Sequence, residues 1–288
     1  MNLFALLKLM RPKQWIKNFF VFAAIIFSGN FLDAKLLAAN VLTFALFCLT
    51  SSSIYIINDI VDIEKDRAHP TKKFRPLPSG KISVGTAMMC CAALVATVAL
   101  ISYAYLDLRI SGIYLLYFLM NILYSFILKN IVIIDVMTIT LGFVLRVASG
   151  GYATGVQVST WLFLCTILLS LFLALNKRKS EIITLKEGSV SHRKILEEYS
   201  VSSIDKMLTT VTPSILMAYC LYTFSSTQSR TMMLTIPFVL YGVFRYEYLI
   251  DKENIGGKPE DVFYKDMPFL IDMLLWGVSV LIIIYLKL

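Results

Sequence analysis

Charged side chains are scarce in this sequence. They make up 16% of 288 residues, against about 25% in an ordinary soluble domain. The residues AVILMFWYC supply 58% instead, with a mean hydropathy of +0.73. A soluble chain of this length must still cover its outside with polar groups, so such a surplus excludes a soluble globular enzyme, and it excludes disorder. The apolar runs lack the alternation of barrel strands, which leaves helices as the way through a bilayer. Five cysteines (Cys48, Cys90, Cys91, Cys165 and Cys220) lie in apolar runs without metal-ligand spacing and read as small buried hydrophobes. The first apolar stretch follows Arg11, Lys13 and Lys17 and lacks a small-residue cleavage site, so no cleavable signal peptide is expected. Low-complexity tracts and a soluble domain boundary are also missing; the longest segment between apolar runs extends only from about 177 to 207.

What is present is a series of nine apolar runs near 16–31, 36–57, 82–105, 110–128, 131–153, 159–176, 208–226, 231–249 and 268–286. About 20 such residues cross a bilayer as a helix. The expectation is therefore an all-α polytopic membrane protein, one integral domain over 1–288, with about nine transmembrane helices. The formal net charge is +8. In a membrane protein basic loops are explained first by orientation, and nucleic acid is not expected as a partner. Lys8, Arg11, Lys13 and Lys17 fall on one side with the basic residues of 65–81, Lys129, the cluster from Lys177 to Lys206, and Arg245 to Lys265. The opposite side keeps only Lys35, Arg109, Arg230 and Lys287, and Arg146 lies inside a run. This asymmetry places the N-terminus and the long loops in the cytoplasm. Most acids share that side, which orientation alone does not require.

The second run ends in Asn58-Asp59-Ile60-Val61-Asp62-Ile63-Glu64-Lys65-Asp66. On a helix Asp59, Asp62 and Asp66 line one face, where their mutual repulsion invites a hard cation. Magnesium typically takes one or two carboxylates plus substrate phosphate oxygens. Next comes His69-Pro70-Thr71-Lys72-Lys73-Phe74-Arg75-Pro76-Leu77-Pro78-Ser79-Gly80-Lys81, a stretch that three prolines and a glycine keep rigid and non-helical. With Arg67 it sets five cations beside the acids. A carboxylate–metal site next to a fixed basic loop suits a diphosphate or a phosphosugar. His69 reads as a structural hydrogen-bonding group before a catalyst.

A second polar cluster holds Asn121, Tyr124, Ser125, Lys129 and Asp135, and Arg146 follows three helical turns later. Asp135 and Arg146 are too far apart to pair, so each must meet something else within the bundle. Gly142, Gly150 and Gly151 read as close-packing positions. Lys177 and Arg245 end two further runs. Alone they read as topology anchors; as a set they ring the same mouth as the acids.

Asn58-Asp59-x-x-Asp62-x-x-x-Asp66 resembles the first aspartate-rich motif of the UbiA-type prenyltransferase superfamily, nine-helix intramembrane enzymes whose aspartates bind magnesium–diphosphate. Tyr124-Ser125-x-x-Leu128-Lys129 extends the likeness over essentially the whole chain. The strings from Arg11 to Asn18, His69 to Pro76, Gly142 to Arg146 and Gly257 to Val262 resemble its decaprenyl-phosphate phosphoribosyltransferase branch. The usual second motif carries two or three aspartates, whereas Asp135 stands alone here. This fits the phosphoribosyl branch, where the lipid brings an acceptor monophosphate.

The resemblance implies a magnesium-dependent transfer of 5-phosphoribose from phosphoribosyl pyrophosphate (PRPP) to a membrane polyprenyl phosphate. Diphosphate is released, and the product serves cell-wall or envelope glycan synthesis at the bacterial plasma membrane. It assigns Asp59 and Asp62 to metal-bridged diphosphate, with Asp66 a third ligand or a partner of the basic loop. Lys72, Lys73 and Arg75, with Arg67 and Asn58, go to PRPP. Lys17, Lys129 and Arg146 go to the lipid phosphate or to orienting Asp135, which takes a metal or a ribose hydroxyl. Tyr124, Lys177 and Arg245 complete the substrate-contacting set. Two readings compete: prenyl transfer from a prenyl diphosphate to an aromatic or other acceptor, and a lipid carrier or transporter without chemistry. Self-association as a homo-oligomer is left open. Asp59→Asn and Asp62→Asn are each expected to abolish turnover in a protein that still folds; near wild-type activity in both variants removes the metal-site assignment.

Overall fold

The computed structural model describes residues 3–69, 72–186, 195–225, 230–253, 262 and 265–287. All elements among them are helical: α1 (Leu3–Leu9), α2 (Ala23–Phe27), α3 (Ala34–Val61), α4 (Ile63–Ala68), α5 (Val84–Tyr105), α6 (Leu108–Phe126), α7 (Ile134–Thr154), α8 (Thr160–Lys186), α9 (Ile195–Glu198), α10 (Val201–Ser225), α11 (Ile236–Glu253) and α12 (Met267–Leu286), with 3-10 turns between several of them. Eight segments among the described residues are long and apolar enough to cross a membrane. Side chains capable of satisfying backbone N–H groups mark the starts of four of them. Asp33, Ser83, Asp107 and Asp266 accept from the first turns of α3, α5, α6 and α12.

The first of the nine predicted runs folds differently. Residues Pro12–Phe22 wind as a 3-10 helix of 11 residues, and only Ala23–Phe27 continue as α-helix. A 3-10 helix rises about 2 Å per residue, so this stretch covers about 22 Å where an α-helix would cover about 16 Å. Such runs are uncommon, and tertiary contacts override the local preference here. The Asn18 amide is wholly buried and donates to Cys48 Sγ and Ser51 Oγ on α3, both at 3.3 Å. Gly150 on α7 lies directly against the Val21 carbonyl. A Cβ added there would stand 1.8 Å from that oxygen.

The chain divides into two compact units. One comprises Met1–Ile25, Asn30–Lys129 and Leu145–Gln157. In it α3 is the central element, packed by α5, α6 and the Pro12–Phe22 helix around Val21, Leu46, Phe47, Ile54 and Tyr117. At the Asp59 end of α3, Leu9, Ile56, Leu77 and Ile82 form a second apolar cluster that anchors the loop after α4. The other unit comprises Ile26–Gly29, Asn130–Val144 and Val158–Leu288. There α8 packs on α10 and α11 on α12, around Phe172, Ile204, Tyr246 and Leu249. Outward faces stay apolar: Met88, Met89 and Leu100 on α5, and Leu274 and Ile282 on α12, are exposed. In water these would be aggregation-prone patches; in lipid they are the required surface.

Gly150→Ala forces a methyl group into a backbone carbonyl. Overpacking of this kind costs about 1–3 kcal/mol or more. The variant is expected to melt several degrees below wild type in detergent; equal melting would show that the two backbones can separate without cost.

Candidate active site

At its far end α3 carries Asn58 and Asp59, and Asp62 caps it before α4 begins. The helical register that brings Asp59, Asp62 and Asp66 to one face survives this junction, because Asp66 N–H still bonds to the Asp62 carbonyl at 2.8 Å. Asp59 and Asp66 are buried, at 2% and 4% exposure. Arg75 joins them. Its Nη1 lies 2.5 Å from Asp66 Oδ2 and 3.2 Å from Asp59 Oδ1. Lys72 Nζ stands 3.9 Å from the other Asp66 oxygen. Asp62 is more open and lies between Lys129 at 3.6 Å and Lys65 at 3.8 Å. Asn58 Oδ1 accepts a hydrogen bond from Ser125 on α6.

The basic loop owes its shape to short local bonds. Arg75 N–H bonds to the Lys72 carbonyl at 2.9 Å, Ser79 N–H to the Arg75 carbonyl at 3.0 Å, and Ile82 N–H to the Pro76 carbonyl at 3.2 Å. The buried Pro76, Leu77 and Pro78 fix it to the apolar cluster below. His69 Nδ1 accepts from the Lys72 N–H at 3.3 Å. Burial, then Lys72, holds the imidazole below its ordinary pKa. It is therefore neutral at physiological pH, with its proton on Nε2.

The sequence-predicted residues thus separate into groups. Asn58, Asp59, Asp62, Asp66, Lys72, Arg75 and Lys129 come together. Arg67 instead pairs with Glu64 at 2.7 Å on an exposed face, and exposed Lys73 lies over the Phe74 ring at 5.2 Å. Lys17 donates to Gln14 at 2.6 Å, while Tyr124 and Lys177 are half-buried on α6 and α8. Buried Arg146 donates to Asn18 Oδ1 at 2.8 Å and to the Tyr117 hydroxyl at 2.7 Å, with its guanidinium 4.8 Å from the Tyr117 ring centre. Arg245 forms a two-pronged pair with Asp266, at 3.1 and 2.6 Å, and stacks near Tyr248. That guanidinium holds the Asp266 carboxyl below the usual carboxylate range. The Gly257–Asp261 part of the last motif, and Pro70 and Thr71, lie outside the described residues.

Asp135 sits in its own closed network in the second unit. It is 0% exposed; Arg178 Nε reaches one oxygen at 2.7 Å, and the Tyr199 hydroxyl donates to the other at 2.8 Å. Tyr199 also accepts from the backbone N–H of Ile133 at 2.6 Å, and Arg178 bonds Glu181 as well. Burial pushes the Tyr199 hydroxyl up to about 12, so it remains a donor. Ile133 has φ 69, a left-handed conformation that a β-branched residue adopts only under constraint.

Sequence reading leaves four of these residues outside the site: Arg11, Asn18, Arg178 and Tyr199. Arg11 bonds Asp59 Oδ1 across 48 residues. Its signal in the sequence is the Arg11–Asn18 string that carries the family resemblance, and nothing periodic ties it to Asp59.

The model for the UbiA prenyltransferase family matches residues 18–264. The chain belongs to that family. A decaprenyl-phosphate phosphoribosyltransferase of Mycolicibacterium smegmatis is 34% identical over 94% of this chain and 89% of its own length. One of Corynebacterium glutamicum is 31% identical over 97% and 86%. Among solved structures, a UbiA homologue from Archaeoglobus fulgidus bound to GPP and Mg2+ superposes with a TM-score of 0.71 at 20% identity, covering 97% of this chain and 99% of that one. A digeranylgeranylglyceryl phosphate synthase gives 0.69 at 21%, over 98% of each. These structural likenesses establish the UbiA fold for this chain.

Removing one member of a buried ion pair costs about 3–5 kcal/mol, whereas replacing both by apolar groups is often neutral. Arg178→Met is therefore expected to destabilise strongly, and Asp135→Leu with Arg178→Met to recover most of the loss in thermal unfolding. A double variant that stays as unstable as the single one would show that the pair is not the unit holding this region.

Proposed function

We propose that this UbiA-family protein transfers 5-phosphoribose from PRPP to a polyprenyl phosphate and releases diphosphate. The reading rests first on near full-length similarity to two relatives that bear this activity in their names. The carrying geometric observation is the Arg75 bridge, which sets a guanidinium between two buried acids beside Lys72 and Lys129. An anionic sugar diphosphate needs that mixture of carboxylates and clustered cations.

The three acids offer only oxygen donors, as magnesium requires, and Asp59, Asp62 and Asp66 would hold it. Among the described residues no group of three such acids already stands close enough to hold a metal ion, so substrate oxygens would complete the shell. When bound, magnesium supplies charge neutralisation for the departing diphosphate. Lys72, Arg75 and Lys129 hold phosphate oxygens and fix the anomeric carbon of the donor. A lipid phosphate oxygen attacks that carbon as the bond to diphosphate breaks. A phosphate monoester has a second pKa of about 6, so the nucleophile needs no protein base. Positioning and electrostatics carry the reaction. Asp135 belongs to the frame in this reading, because both of its oxygens are committed to Arg178 and Tyr199. That commitment argues against a second diphosphate–metal site and against a prenyl diphosphate donor. The asymmetry of basic residues supports a cytoplasmic N-terminus in a bacterial plasma membrane, with PRPP arriving from the cytoplasm and the lipid from the bilayer.

The test is incubation of purified protein with labelled PRPP, magnesium and a panel of polyprenyl phosphates. Label is expected in the lipid fraction with matching diphosphate release. Transfer from a prenyl diphosphate to an aromatic acceptor, with PRPP left intact, would overturn the reading.

A further inference from the structure

Arg11 lies outside the groups that hold the donor phosphates, yet it is paired with the buried Asp59 at the edge of the acidic cluster. It stands at the entry of the Pro12–Phe22 helix with φ 54, a left-handed backbone that non-glycine residues adopt rarely. From there its guanidinium passes the Tyr55 ring, 5.1 Å from the centroid, and bonds Asp59 Oδ1. The same oxygen receives Arg75 at 3.2 Å. Two guanidiniums on one carboxylate oxygen exceed what that group can neutralise. They are not equivalent. Arg75 keeps a second carboxylate, Asp66 at 2.5 Å, and stays anchored if Asp59 turns away. Among the described residues Arg11 has Asp59 as its ion-pair partner and no second acid.

The surroundings point the same way. Asp59, Asp62 and Asp66 face Arg11, Arg75, Lys72, Lys129 and Lys65, so cations outnumber carboxylates. A free divalent ion entering here would meet net positive charge and evict a guanidinium from a buried acid, leaving it unpaired. A diphosphate arriving with the ion reverses both penalties, since it brings negative charge to which the released guanidinium can turn.

We propose that Arg11 is the resting counter-ion of Asp59 and makes divalent-cation binding conditional on the anionic substrate, so that cation and diphosphate enter as one complex. The proposal rests on the reading of Asp59 as a carboxylate that bridges metal and sugar diphosphate. Arg11 is a positioning residue in this scheme: it decides when Asp59 becomes available and does not act on the reacting carbon.

The test is an Mn2+ titration by electron paramagnetic resonance on the purified full chain, with Mn2+ alone, with inorganic diphosphate, and with PRPP. Wild type is expected to bind Mn2+ weakly alone and far more tightly with either anion. Arg11→Met should tighten binding of Mn2+ alone by about tenfold, equivalent to about 1.4 kcal/mol, while Arg11→Lys, which keeps the charge, should bind like wild type. Wild type that binds Mn2+ alone as tightly as with diphosphate overturns the proposal, even where Arg11→Met fails to fold. So does a folded Arg11→Met with unchanged Mn2+ affinity. Should diphosphate promote Mn2+ binding and PRPP not, the Arg11 proposal stands and the sugar-donor reading falls.

Discussion

Arg75 holds Asp59 and Asp66 on one face of the α3–α4 junction, and the candidate site follows from that bridge. Two carboxylates seven residues apart, buried at the end of an apolar helix, would repel each other in a medium that screens poorly. The guanidinium between them turns the repulsion into a connected pair of charge-assisted hydrogen bonds. Because Arg75 comes from the loop after α4, the same contact fastens that loop to the helix end. Leu77 and Ile82 complete the attachment from the apolar side. The loop is thus positioned by an ion pair on one flank and by burial on the other, and Lys72 is carried with it.

Two buried ions, Arg146 and Asp135, are each resolved within their own unit. Arg146 is satisfied by the Asn18 amide, the Tyr117 hydroxyl and an aromatic face. Asp135 is satisfied by Arg178 and Tyr199. Neither solution is a simple pair in sequence, and both recruit residues that are ordinary by composition. The cost of an uncompensated charge in lipid explains why such partners are found. The same network reaches the backbone: Tyr199 caps the Ile133 N–H at a left-handed turn, so a charge-balancing residue also stabilises a strained conformation.

The helical, membrane-spanning character and most spans were legible because they follow from local runs of apolar residues, and the aspartate face followed from helical spacing. The end of the α-helix before the basic loop was legible through its prolines, but the 3-10 turn that Lys72–Phe74 make in a stretch expected to be non-helical was not. The 3-10 winding of Pro12–Phe22 was not, since the choice between i→i+3 and i→i+4 bonding is worth little locally and is settled by Asn18, Val21 and Gly150 meeting other helices. Arg67 and Lys73 look equivalent to Arg75 in a one-dimensional count of charge. They differ only in direction, toward Glu64 and Phe74 instead of toward the acids.

By itself the sequence determined what must be buried in lipid, which carboxylates share a helix face, and that the surrounding loop is basic, because these depend on periodicity and composition within a few turns. Helical spacing encodes the i,i+3 pairs such as Arg67 with Glu64, whereas tertiary structure alone decided which distant cation meets which buried acid. Arg11 and Asp59 are 48 residues apart, Asp135 and Arg178 are 43, and no local pattern encodes a pairing at that separation. Electrostatic energy depends on distance in space and on burial, and only the packed helices set both.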